Sequence, residues 1–172
     1  MTVDELESQL LRAGRNNGPG LLFDWWFGGE LTVEQLHALL PGVWEMAEWP
    51  SRHLTRDAWI LMFRTAGYCS SPPGLPAPTS PTTVYRGCTP GRRRGMSWTT
   101  DLDQARWFAR RFLHVLDTPR TEVVTMDVPP ELVLARCEGR GGTDGLSVEA
   151  EVVVDCLAIP RGAIRRLEEL TP

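Results

Sequence analysis

The chain has 172 residues, with 22 acidic and 18 basic side chains and a formal net charge of -4. That length suits one domain and is thin for two, while 42% hydrophobic and 23% charged residues exclude wholesale disorder and burial in a membrane. The acidic balance argues against bulk binding of nucleic acid, which draws on a basic domain.

Every one of the basic residues is arginine. The four cysteines, Cys69, Cys88, Cys137 and Cys156, form no C-x-x-C pair and have no histidine at ligand spacing, so no metal site is expected. Scattered thiols suit a reducing compartment. The chain opens acidic and amphipathic rather than with a basic and then apolar leader, and apolar runs such as 59–63 are too short to span a bilayer. A cytoplasmic location is expected, with delivery into another cell by a secretion system left open.

In chain order, residues 1–68 read as helices. Thr2 with Glu5 forms a capping box, followed by Val3, Leu6 and Leu10 at helical spacing. Thr32 with Gln35 repeats it, with Leu36, Leu39 and Leu40 on one face and Pro41-Gly42 as the stop. Pro41 could instead open a short helix running to Trp49. Thr55 caps a third helix over 55–65. Residues 69–82 are proline-rich and read as an extended connector. Residues 83–172 are strand-rich: 82–86, 95–99, 121–128, 132–136, 146–154 and 164–167 are candidate strands. Thr100 or Asp101 caps a helix over 102–113 with an apolar stripe of Ala105, Phe108, Ala109 and Phe112. Helices first and strands afterwards predict an α+β fold.

Three segments could carry chemistry. In Val84-Tyr85-Arg86-Gly87 an arginine near a strand end presents a fork that fits phosphate or carboxylate oxygens, and the glycine leaves room for a ligand near the backbone. In Ser97-Trp98-Thr99 strand alternation puts Ser97 and Thr99 on one face and Trp98 on the other. Alternation likewise puts Glu149 and Glu151 on one face, about 7 Å apart, just ahead of three valines. Paired carboxylates in a cleft can divide labour, one stabilising positive charge and one taking a proton. Arg92-Arg93-Arg94 reads as a solvated charge run or as positive potential for an anionic ligand. His37, His53 and His114 support no hydrolase triad, and no Rossmann or P-loop glycine motif is present.

Taken in order, Arg86 in V-Y-R-G, Ser97 in S-W-T and Glu149/Glu151 in E-A-E-V resemble the R-S-E signature of mono-ADP-ribosyltransferases, closest to the arginine-modifying branch with its E-x-E pair. The resemblance spans residues 83–154 and extends to uncharacterised bacterial and phage-type members, leaving a toxin, a phage-type modifier and a housekeeping regulator all open as roles. The serine motif reads S-W-T where the family usually has S-T-S.

The resemblance implies N-terminal helices packed on a split β-sandwich ADP-ribosyltransferase core, with NAD as substrate and a protein arginine as acceptor. Glu151 would stabilise the oxocarbenium-like centre and Glu149 would activate the acceptor guanidinium. Ser97, supported by Thr99, would orient Glu151, and Arg86 would hold an NAD phosphate beside Gly87. Tyr85, Trp98 and Trp107 would be ring neighbours of nicotinamide, and residues 138–148 the acceptor loop. Two rivals remain: NAD glycohydrolysis with water as acceptor, and a non-catalytic binding or inhibitory module on the same fold.

Overall fold

A computed structural model of the chain describes residues 1–47, 49–139 and 150–171. They form an α+β protein of two compact units, Met1–Leu75 and Pro76–Pro172. Among the described residues no helix is long and apolar enough to cross a membrane.

The first unit is helical. Helix α1 (Val3–Phe27) starts from the capping box, where Thr2 Oγ1 accepts from the Glu5 amide and Glu5 returns the bond to the Thr2 amide. Gly14 interrupts it with φ 75, ψ 173, a conformation that glycine adopts without a Cβ penalty. Helix α2 (Val33–Met46) is capped the same way by Thr32 and Gln35.

Pro41 does not stop α2, nor does it start a new helix; it lies inside a continuous one. An interior proline forfeits a backbone hydrogen bond and costs about 3 kcal/mol. The residues beyond it explain why the helix continues. Val43 and Trp44 are buried, and the Trp44 ring meets Trp59 edge-on at 5.1 Å and Phe63 at 5.7 Å. Burying two such side chains contributes about 1.5–3 kcal/mol each, enough to offset the proline.

The short helix α3 (Pro50–His53) leads to α4 (Arg56–Ala66), capped by Thr55 through the Ala58 amide. The Trp59 indole donates to the Pro50 carbonyl at 3.1 Å, so this large apolar ring is buried without an orphaned donor. Strand β1 (Cys69–Ser71) falls where the sequence predicts only connector.

The second unit is built on antiparallel pairings. Its strands are β2 (Thr82–Cys88), β3 (Ser97–Thr99), β4 (Thr121–Val128), β5 (Val133–Glu138), β6 (Ala150–Val154) and β7 (Arg165–Leu170). Their order is β5-β6-β3-β2-β4-β7, so β6 reaches β3 across a long sequence separation. Helix α5 (Leu102–Val115) covers β2 and β4, with Asp101 as its cap. Of its predicted apolar stripe only Ala105 and Ala109 are fully buried, because small side chains let the helix lie close to the sheet. Phe108 and Phe112 sit half-buried at its edge, stacked at 6.0 Å.

Strand β4 buries Thr121 through Met126 without alternation, as expected for a strand covered on both faces. Glu122 is among them, only 1% exposed.

Candidate functional site

The register gathers the sequence-predicted residues on three neighbouring strands. Tyr85 of β2 is opposite Thr99 of β3, and Thr99 is opposite Glu151 of β6. Directly opposed residues share a face, so Tyr85, Thr99 and Glu151 form one row across the sheet. Ser97, opposite Val153, is the diagonal neighbour of Glu151 on that face, at the roughly 7–8 Å spacing of such pairs. Both Ser97 and Glu151 are half-buried. Glu149 lies outside the described residues, as does most of the predicted acceptor loop.

Arg86 follows Tyr85 and therefore starts from the opposite face, in line with Trp98 and Val152. Strand β3 begins only at Ser97, and the Arg86 guanidinium comes to its start. Nη1 donates to the Ser97 carbonyl at 2.5 Å, and Nε donates to the Arg92 carbonyl at 3.3 Å. Burial lowers the Arg86 pKa from the ordinary arginine value, while the negative charge of the nearby Glu151 carboxylate pulls it back up. The fork stays charged, as arginine does in proteins, and has five N–H donors, more than two carbonyls take up. Cys88 is raised by burial and so stays a neutral thiol beside it.

Two glycines flank this arrangement, and their roles differ from the sequence reading. A Cβ at Gly87 would stand 2.5 Å from the Ala109 nitrogen and would overlap the Ala105 carbonyl oxygen. The close approach at Gly87 is thus made by the α5 main chain, not by a ligand. A Cβ at Gly95 would meet the Arg86 guanidinium itself, 2.8 Å from Nη1 and closer still to Cζ and Nη2.

The remaining candidates divide clearly. Trp98 is 2% exposed, with its indole donating to the Gly95 carbonyl at 2.8 Å; it is a core ring and presents no open face. Tyr85 is half-buried against Ala105, Ala109 and Val123. Thr99 is 7% exposed, and its Oγ1 accepts the Asp101 amide at 3.0 Å, which turns the chain into α5. Trp107 stands outside on α5, edge-on to Phe108 at 4.9 Å with the Arg111 guanidinium 5.3 Å above its ring.

The arginine run is largely solvent-exposed, as a solvated charge run would be, but two of its members are tied inward. Arg93 grips the buried Glu122 carboxylate with two bonds, 2.6 and 2.7 Å. Arg94 donates to the Ile159 and Pro160 carbonyls although it, like Arg92, is exposed. Sequence reasoning missed Glu122 and Gly95. The one available signal for Glu122 was an acid directly ahead of two valines in a β-branched strand, and for Gly95 a glycine two residues ahead of Ser97.

Among the described residues no group of histidine, cysteine and carboxylate side chains could hold a metal ion. Comparison with protein-family models, with curated proteins and with solved structures gives no match to this chain.

Proposed function

We propose that this protein is an NAD-dependent mono-ADP-ribosyltransferase that modifies arginine on a protein acceptor, with residues 83–172 forming a split β-sandwich core. The observation that supports the reading is the placement of Arg86, Ser97 and Glu151 on the adjacent strands β2, β3 and β6, with Ser97 and Glu151 on one face and the Arg86 fork reaching the Ser97 carbonyl at the start of β3.

The chemistry fits the residue types. Cleavage of the nicotinamide–ribose bond leaves positive charge on the ribose, as in glycoside hydrolysis. A carboxylate fixed beside it lowers the barrier because it is already oriented when the charge develops; that is Glu151. Ser97, diagonal to it on the same face, holds the carboxylate in orientation. Arg86 is the phosphate-binding fork, held by main-chain carbonyls so that little side-chain entropy is lost on binding. Glu149, two residues before Glu151, positions the acceptor guanidinium and takes its proton, since a charged guanidinium is a poor nucleophile.

The two carboxylates separate transfer from hydrolysis. Glu149→Ala should abolish labelling of an arginine acceptor while NAD cleavage to nicotinamide continues. Unchanged total turnover and no acceptor labelling in either wild type or variant would favour water as the acceptor. A protein whose melting temperature does not respond to NAD, and which releases no nicotinamide, would be a binding module on the same fold.

A further inference from the structure

We propose that Gly95 is a positioning residue for Arg86: the bare main chain there is the seat on which the fork rests, and a side chain at this position weakens the grip on the dinucleotide phosphates. The inference rests on the assignment of Arg86 to those phosphates.

The Arg86 guanidinium lies where a Cβ of residue 95 would be. One of the two would have to move, and the surroundings decide which. The main chain around Gly95 is fastened on three sides. Arg93, two residues earlier, is held to Glu122 of β4 by its paired bonds. Arg94 is tied to the Ile159 carbonyl. The Gly95 carbonyl itself accepts from the buried Trp98 indole at 2.8 Å. The guanidinium, at the end of a flexible side chain, is the member that yields.

Its displacement would cost the bonds to the Arg92 and Ser97 carbonyls that aim the fork. Gly95 is not among the glycines at positive φ, so alanine fits the backbone there and only the space changes. The segment 92–95 is therefore a holder for Arg86 rather than a second anion-binding patch. Its arginines fasten the holder, and its glycine leaves the seat open. At Gly87 the obstructing atoms are main chain, and substitution there would disturb the fold instead.

The test compares wild type, Gly95→Ala, Arg86→Ala and the double variant, using NAD affinity by calorimetry, the melting temperature without NAD, and KM and kcat for nicotinamide release. Gly95→Ala should raise Kd and KM for NAD about tenfold or more, the loss expected when a charge-assisted fork is misaimed, with kcat changed far less. Its melting temperature without NAD should stay within about 2 °C of wild type. The double variant should bind no more weakly than Arg86→Ala alone, because both changes remove the same contact. If crowding lowers the stability of Gly95→Ala, the double variant should regain it, since the guanidinium that crowds the methyl is gone. Wild-type affinity in Gly95→Ala while Arg86→Ala has lost binding would overturn the proposal, as would losses that multiply in the double variant. Unchanged NAD affinity in Arg86→Ala would overturn the assignment of Arg86, and this inference with it.

Discussion

A methyl group at Gly87 would stand against the nitrogen of Ala109 and the carbonyl of Ala105, both of them α5 main chain. Neither atom can rotate away, so the helix must lift from β2. Gly87→Ala should therefore destabilise the protein by about 1–3 kcal/mol, the usual cost of overpacking a closed contact. Urea denaturation measures this directly; a loss under about 0.5 kcal/mol, typical of an unconstrained surface site, would contradict the contact. Glu122 is decided by charge rather than space. Its carboxylate is buried, held by Arg93 and approached by Arg166 at 3.4 Å. The Arg93 bond is the main cause that lowers its pKa from the ordinary 4.5. With a folded pKa below the unfolded one, its stabilisation is complete above the unfolded value and is lost as pH falls through the folded value. Arg93→Ala should cost about 1–3 kcal/mol near neutral pH, since the buried carboxylate loses its paired bonds and keeps only Arg166 at 3.4 Å. That deficit should shrink below about pH 4 as the carboxyl protonates. A deficit that does not change between pH 7 and pH 3 would contradict the ion pair.

Among the elements, α2 offers the clearest contest between local preference and packing. Pro41→Ala restores a helix hydrogen bond worth up to about 3 kcal/mol, against about 1 kcal/mol lost to a freer unfolded chain. The lost ring burial takes part of the remainder, so a net stabilisation of about 1 kcal/mol is expected in a thermal melt. A less stable variant would mean that the proline ring itself holds the helix in place. This contest also explains what the sequence could reveal. The caps at Thr2, Thr32 and Thr55 were legible because each is closed by a residue three positions away. The eight-residue strand β4 was legible as a strand from its alternating residues and its Pro-Pro stop, but the alternation did not foretell that Thr121 through Met126 are all buried. Passage of α2 through Pro41 was not, since it depends on Trp59 and Phe63 from another helix. Nor was β1, a three-residue strand in a proline-rich stretch. Within the candidate site, residue types and order were legible, but which glycine faces Arg86 depends on how α5 and the 92–95 segment fold back. The same holds for Trp98, whose burial no alternation pattern could foretell.

For the molecule as a whole, all the proposed site residues belong to the second unit, Pro76–Pro172. Strand order there places β6 beside β3 and β3 beside β2, so residues distant in sequence arrive as neighbours. The central claim is that Glu151 acts on NAD. The most direct measurement is nicotinamide release from NAD by wild type and by Glu151→Gln, with and without agmatine as an arginine mimic. Glutamine keeps the size and shape of the side chain and one acceptor oxygen while removing its charge, so the fold should persist. The account predicts turnover in wild type that agmatine raises, and a loss of about 100-fold or more in Glu151→Gln, on the scale of removing one fixed electrostatic group. Equal turnover in the two proteins, or none in wild type with no stabilisation of the fold by NAD, would contradict it.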